Sequence, residues 1–205
     1  MLLSQLSKTL NMKIAITGTF GAGKSSVRQI LTHFGFTVVD CDQLAKSYYL
    51  NDSCIYDQLI ELLQDYPNTI NDGKIQLANL SILFFNHQDL KNKIETLIHQ
   101  QLKKDLNTIF NKVETVFVEV PLLYELGWES MFDHVVVITC DTSIAMQRLE
   151  KYRNYNAQEY NKRMQYQMDA NEKINRSDYV IYNNGDKDQL EMEVKIWLNK
   201  MNLID

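Results

Sequence analysis

Five short apolar segments predict the strands of one sheet, at residues 13–17, 37–40, 115–120, 135–139 and 179–182. The third and fourth are near-continuous apolar runs, which is typical of parallel strands covered on both faces. Several of the segments between strands carry apolar residues at helical spacing. Strands that alternate with helices predict an α/β fold with a parallel sheet of about five strands.

The helices of this predicted core are marked by their apolar faces and by polar residues at their ends. A helix is expected over residues 24–34, with Gly35 in the position of a C-cap. Three later helices have polar starts, and one of these starts, Asn156 with Glu159, resembles a capping box. These starts are Asp141 for a helix over 142–151, Asn156 with Glu159, and Asp186 with Gln189.

Residues 44–112 differ from the rest of the chain. Leu59, Leu62 and Leu63 mark one helix, and Ile94, Leu97, Ile98 and Leu102 mark another. No strand is obvious in this stretch. The pattern therefore predicts a helical insertion between strands.

A glycine-rich turn separates the first strand from the first helix. Residues 18–25 read Gly-Thr-Phe-Gly-Ala-Gly-Lys-Ser and match GxxxxGK[ST] at every required position. Backbone N–H groups of such a turn point at phosphates, and the helix start adds its positive dipole end. Lys24 is expected to reach the β- and γ-phosphates of ATP, and the Ser25 hydroxyl to ligate Mg²⁺. Ser26 either contacts the α-phosphate or packs.

Composition and missing motifs narrow the class. The formal net charge is -5, which argues against nucleic acid as the main partner. We expect a cytoplasmic protein without a membrane segment, because the three cysteines are sparse and no apolar run is long enough to span a bilayer. The DxxG and NKxD motifs of GTPases are absent, and the strand at 115–120 lacks a plain Walker-B aspartate. A small-molecule kinase is the favoured reading.

Two acids and three arginines are candidates for the transfer chemistry. Asp40 and Asp42 follow the second strand and would share a face if that strand continued. A carboxylate there could accept the proton of an attacking hydroxyl or help hold Mg²⁺, or both acids could cap the next helix. Arg148, Arg153 and Arg163 match phosphate geometry, although most surface arginines lie on solvated helix faces.

With these motifs in place, residues 12–198 resemble dephospho-coenzyme A kinase. The resemblance is carried by the P-loop, by an Asp-x-Asp box at 40–42, by Leu97-Ile98-His99 and by the Pro-Leu-Leu-x-Glu box at 121–125. Further matches are Arg148, an Arg163…Gln167 helix and the segment 179–185. The boxes are specific in combination with the P-loop.

The resemblance implies a three-layer P-loop NTPase fold like that of nucleoside monophosphate kinases. Residues 12–43, 113–147 and 172–205 would form its core, 44–112 a helical substrate-binding part and 148–171 a lid. The implied reaction uses ATP and Mg²⁺ to phosphorylate the 3′-hydroxyl of dephospho-coenzyme A, the last step of coenzyme A biosynthesis.

The resemblance also implies roles for individual residues. Asp42 would be the base, with Lys24 and Arg148 as charge stabilisers and Ser25 as the metal ligand. The nucleotide would contact Gly18, Gly21, Ala22, Gly23, Lys24, Ser25, Ser26, Arg148 and Asn184. The acceptor would contact Asp42, His99, Pro121, Leu122 and Arg163.

Three positions depart from the family pattern. Gln100 stands where the family has proline, and Leu77 and Tyr152 stand where it has arginines. The last two each remove a phosphate-seeking charge, so a different alcohol or nucleoside acceptor stays open. A nucleotide-binding regulator is a further alternative. His99, taken by itself, could equally be a structural helix histidine.

Overall fold

The computed structural model describes residues 11–205. Within them the chain forms two compact units, residues 11–40 with 113–205 and residues 41–112. The hypothesis that residues 1–11 are an extended or misassigned start falls, apart from Asn11, outside the described residues.

The strands and helices alternate along most of the chain. The strands are β1 Met12–Gly18, β2 Thr37–Asp40, β3 Ile70–Asn71, β4 Lys74–Ile75, β5 Thr115–Glu119, β6 His134–Thr139 and β7 Tyr179–Tyr182. The helices are α1 Lys24–His33, α2 Cys41–Ser47, α3 Tyr56–Leu63, α4 Leu77–Asn86, α5 Gln88–Phe110, α6 Thr142–Arg153, α7 Ala157–Met164, α8 Ala170–Asn175 and α9 Lys187–Lys200.

The first unit is built on a five-stranded sheet in the order β2-β5-β1-β6-β7. Every neighbouring pair is parallel, and Ile14 of the central strand lies opposite Phe117 on one side and His134 on the other. All five carboxyl ends therefore lie along one edge, which is where ligands bind in such sheets. The predicted α/β class and five parallel strands are confirmed.

Apolar side chains cover both faces of this sheet. On one face, Phe117 packs edge-on against Trp197 of α9, and Val27 and Leu31 of α1 join the same cluster. Successive residues of a strand point to opposite faces. Val116 and Val118, which flank Phe117, therefore point to the other face, and both are fully buried there. Burial on both sides explains the near-continuous apolar pattern of β5.

The second unit is mainly helical. In α5 the buried residues recur at every fourth position, at Leu90, Ile94, Ile98, Leu102 and Leu106. This stripe is the helical face that the sequence predicted.

The second unit also contains a small hairpin, β3–β4, that the sequence reading missed. Its central residues Asp72 and Gly73 both have positive φ, as tight two-residue turns require. Strands of two residues are too short to show an alternating pattern, so the expectation of no strand in this stretch is wrong.

Two local expectations are corrected, and one helix was missed. The chain turns from strand to helix directly after Asp40, so Asp40 and Asp42 are not on one strand face. Helix α8 was not predicted as a separate element. Asp141 precedes α6 but makes no side-chain capping hydrogen bond to it.

Among the described residues, no helix combines the length and apolar content needed to cross a membrane.

Candidate active site

Three glycines at the junction of β1 and α1 have backbone conformations that other residues rarely adopt. The φ angle is +147° at Gly18, +82° at Gly21 and +94° at Gly23. A Cβ on Gly18 would lie 1.9 Å from the carbonyl oxygen of Ile138 in β6. The motif thus forms a tight turn that only glycine permits, and Ala22 lies fully buried within it.

The helix after this turn starts without a capping side chain. Gly23 is the N-cap residue of α1, and the first turn of α1 contains no acidic residue. Ser25 and Ser26 lie in that first turn. The Lys24 ammonium donates hydrogen bonds to the carbonyl oxygens of Gly18 at 3.0 Å and Thr19 at 2.9 Å. A helix start with these properties favours a bound phosphate.

Asn183, which follows the edge strand β7, forms a hydrogen bond with the glycine turn. This role of Asn183 was not predicted from the sequence. Its side chain is 5% exposed, and its Nδ2 donates to the carbonyl oxygen of Ala22 at 2.7 Å. Arg148 donates to the carbonyl oxygens of Asn183 and Gly185, each at 2.8 Å. Arg148, predicted as a phosphate contact, therefore lies beside this turn after β7. The Asn-Asn-Gly triplet was a signal, although it could not tell which asparagine was buried.

The neighbouring Asn184 has an exposed side chain with a different partner. Its Oδ1 accepts from the backbone N–H of Asp141 at 2.8 Å, and its Nδ2 donates to the Asp141 carboxylate at 3.1 Å. The expected helix cap, Asp141, is instead paired with the turn after β7. These two bonds connect the carboxyl ends of β6 and β7.

An aromatic cluster joins the glycine turn to α7. Phe20 of the turn packs against Tyr155, with ring centroids 5.3 Å apart, and lies 6.2 Å from the ring of Tyr160. The Arg163 guanidinium lies 5.1 Å from the ring centroids of both Phe20 and Tyr155. Arg163 therefore contacts the glycine turn through the ring of Phe20.

Acidic residues end two neighbouring strands at the carboxyl edge of the sheet. Asp40 of β2 and Glu119 of β5 are in register, and Glu119 is 8% exposed. Arg28 of α1 forms an ion pair with Asp40 and lies 3.6 Å from Glu119. The pairing of Arg28 with these acids was not predicted from sequence.

The Pro-Leu-Leu-x-Glu box forms the loop after β5. The Pro121 carbonyl oxygen accepts from the Thr17 hydroxyl at 3.3 Å and from the Lys173 ammonium at 3.5 Å. Leu122 is 37% exposed, whereas the next residue, Leu123, is fully buried. The loop therefore presents one apolar side chain at the carboxyl end of β5.

Asp42 and His99 belong to the second unit. Asp42 lies exposed in the first turn of α2, two residues after β2 ends. His99 is half-buried on α5, and burial lowers its pKa despite the nearby Glu95 carboxylate. The hydroxyl of Tyr48, the residue after α2, donates to Asp105 of α5 at 2.5 Å. This bond holds the two helices that carry Asp42 and His99 together.

The three departures from the family pattern lie on exposed surface. Leu77 is 46% exposed at the start of α4, and Tyr152 is 72% exposed near the end of α6. Gln100 is exposed as well. Arg153, which follows Tyr152 and belongs to the predicted lid, is also exposed. In the part of the chain that the structure describes, no group of three or more His, Cys, Asp or Glu could hold a metal ion.

The fold and the glycine turn define the class of the molecule. A parallel sheet in the order β2-β5-β1-β6-β7, with the motif turn between β1 and α1, is that of a P-loop kinase. A family model described as dephospho-CoA kinase matches residues 12–189. The chain therefore belongs to the dephospho-CoA kinase family, whose members carry out the final step of CoA biosynthesis by phosphorylating dephospho-CoA. It is an enzyme of the transferase class, and the family resemblance is confirmed.

Relatives resemble the chain over most of their length. A dephospho-CoA kinase from Leptospira interrogans is 33% identical and covers 89% of both chains. The structure of TT1252 from Thermus thermophilus has a TM-score of 0.80 at 25% identity, over 96% of this chain and 100% of that one. Dephospho-CoA kinase from Campylobacter jejuni, at 20% identity, has a TM-score of 0.70 over 92% and 96% of the two chains, which is a likeness of fold.

Proposed function

We propose that this enzyme transfers the γ-phosphate of ATP to the 3′-hydroxyl of dephospho-CoA, giving CoA and ADP. The glycine turn leading into the uncapped start of α1 is the observation that carries the proposal. Such a turn binds a polyphosphate through backbone N–H groups. The family relationship supplies the acceptor.

Positive charge beside the turn stabilises the transferring phosphoryl group. Lys24 lies folded over the turn and Arg148 lies beside residues 183–185. Phosphoryl transfer needs mainly positioning and charge stabilisation, since the protein forms no covalent intermediate. The two cations supply that charge, and Asn184 contacts the adenine side of the nucleotide.

Magnesium fits this site through a single protein hydroxyl. Kinase sites hold Mg²⁺ with one or two protein oxygens together with phosphate oxygens. Ser25, in the first turn of α1, is the protein ligand. When bound, the ion neutralises negative charge on the phosphate oxygens.

Asp42 is the proposed base for the acceptor hydroxyl. It follows the carboxyl end of β2 by two residues, and that edge of a parallel sheet is where ligands bind. Its exposed carboxylate can take the proton that the hydroxyl loses as it attacks. Asp40, which is paired with Arg28, is less suited to this task.

The remaining proposed residues contact the acceptor or close the site. Leu122 and the backbone of Pro121 present the acceptor side of β5, and His99 contributes from the substrate-binding part, residues 44–112. Residues 148–171 act as a lid that carries Arg163 and excludes water during transfer. The contact between Arg163 and Phe20 supports a lid that packs against the glycine turn.

Product analysis with a matched substrate tests the proposal. Purified protein is incubated with ATP, Mg²⁺ and either dephospho-CoA or its 3′-deoxy analogue, and CoA is measured by mass spectrometry. We expect CoA from the first substrate only, and none from a Lys24→Met variant. Phosphorylation of the 3′-deoxy analogue, or no CoA from an ATP-binding wild-type protein, would overturn the proposal.

A further inference from the structure

A fully buried lysine lies at the base of the proposed lid. Lys173 of α8 is 0% exposed, and its ammonium lies 2.8 Å from Glu125 Oε1 and 3.5 Å from the Pro121 carbonyl oxygen. Burying an ammonium is unfavourable unless a partner compensates the lost hydration. A helix that packs at the protein surface does not require a buried ammonium group, so the burial of Lys173 must have another reason.

The same carboxylate oxygen joins three segments of the chain. Glu125 Oε1 also accepts the backbone N–H of Met168, at 2.7 Å. Met168 follows α7, Lys173 lies on α8, and Glu125 ends the Pro-Leu-Leu-x-Glu box. Burial opposes ionisation of Glu125, but the bonds from Lys173 and Met168 outweigh it, so its pKa lies below the usual value.

A second cation makes a similar connection nearby. The Arg176 guanidinium lies 4.6 Å from the ring centroid of Tyr124, and Arg176 pairs with Glu129. Tyr124 is itself 5% exposed. Two successive residues of the loop after β5 are thus fixed to the segment that follows α7.

We propose that Glu125 and Lys173 form a lid anchor, a pair of positioning residues that fixes the end of residues 148–171 to the acceptor loop after β5. The inference rests on the proposed function, in which these residues form a lid. With its end fixed at Met168, α7 can move only about that point, so Arg163 returns to the same place over the turn. A loosened anchor would admit water and let ATP be hydrolysed without transfer.

A double substitution removes the anchor without leaving a buried charge. Lys173→Met alone would strand the Glu125 carboxylate, and the protein could then fail to fold. In Lys173→Met/Glu125→Gln both charges are gone, while the glutamine oxygen still accepts from Met168. The matched control is Lys195→Met/Glu191→Gln, an exposed ion pair on α9 with the same 2.8 Å distance.

Three measurements test the anchor: melting temperature, the ratio of ADP to CoA formed, and amide hydrogen exchange over residues 157–168. We expect the double variant to melt within about 3 °C of wild type and to exchange about tenfold faster over that segment. We expect its ADP-to-CoA ratio to rise above about one, because water competes with the acceptor. The control should change neither exchange nor ratio.

Unchanged exchange and an unchanged ratio in a folded double variant would overturn the anchor. If the double variant does not fold, Arg176→Gln decides, because that side chain is 38% exposed and its loss buries no charge. It should raise both readouts to a smaller extent, and no change would overturn the proposal. If wild-type protein makes no CoA, the proposed function fails, and hydrogen exchange alone decides on the anchor.

Discussion

At the scale of single residues, the phosphate turn depends on contacts that exclude a methyl group. A Cβ on Gly23 would lie 2.4 Å from Asn183 Nδ2, the atom that donates a hydrogen bond to the Ala22 carbonyl oxygen. Gly35 has a similar φ, +86°, but a Cβ there would meet nothing within 4 Å. Comparing substitutions at these two glycines therefore separates the effect of backbone strain from that of steric conflict.

Gly23→Ala and Gly35→Ala should differ sharply in activity. Positive φ costs either variant about 1–2 kcal/mol of folding stability. Only Gly23→Ala should also lower kcat/KM, by about a hundredfold, because displaced phosphates react slowly. Thermal melts and steady-state kinetics check this. Equal activity in the two variants would show that Asn183 does not shape the turn.

Asp42→Asn should separate nucleotide binding from turnover. The amide cannot accept the hydroxyl proton, so kcat should fall by about 10²–10⁴-fold while the Kd for ATP stays within about twofold. Asp52→Asn, at another exposed position of the same unit, is the control and should behave like wild type. Isothermal titration and kinetics supply both numbers. A variant with near-normal kcat would remove Asp42 from the mechanism.

The sequence was informative about residues whose partners are close along the chain. Lys24 and Ser25 could be proposed as phosphate and metal contacts because the turn, its glycines and the helix start are contiguous. Asn183 could not, since it meets Ala22 across 161 residues. Lys173 lies in a polar stretch that reads as solvated helix, and only the fold brings it to Glu125.

At the scale of elements, two capping boxes start helices of very different burial. Asn156 with Glu159 caps α7, which buries only Tyr160, and Asp186 with Gln189 caps α9, which buries four core residues. The first box was predicted from sequence, and Asp186 with Gln189 was predicted to open a helix, because a cap and its partner are three residues apart. The hairpin β3–β4 escaped prediction because its strands are too short for a pattern.

Removing each cap should have a different consequence. Asp186→Ala should lower the free energy of unfolding by about 1 kcal/mol, because α9 belongs to the core. Asn156→Ala should leave global unfolding nearly unchanged and speed hydrogen exchange within residues 157–164. Denaturant melts and exchange mass spectrometry measure the two effects. A large global loss in Asn156→Ala would mean that α7 is part of the folding core rather than a lid.

At the scale of the whole molecule, acid stability should depend on Glu125. Its folded-state pKa is lowered, so its contribution to stability is present above the unfolded pKa of about 4.3 and is lost as pH falls through the folded value. Wild type should melt higher than Glu125→Gln near pH 7, and the gap should close below about pH 4. Glu150→Gln, at an exposed position on α6, should show no such gap.

The fold class followed from the pattern of the whole chain, whereas the two-unit division depends on where the polypeptide leaves the sheet. Whether a helix begins at Cys41, immediately after β2, could not be decided from sequence, because residues 40–42 suit both a continuing strand and the cap of a helix. Exposed departures such as Tyr152 carry no local signal of their effect on the acceptor.

The most direct test of the proposed function is to compare kcat/KM for dephospho-CoA with kcat/KM for a panel of nucleosides and small alcohols that includes shikimate. ADP release is followed with ATP and Mg²⁺ at equal acceptor concentrations. We expect turnover with dephospho-CoA alone, which would make Leu77 and Tyr152 tolerated changes. Efficient turnover with another member of the panel and none with dephospho-CoA would contradict it, leaving a P-loop kinase with a different acceptor.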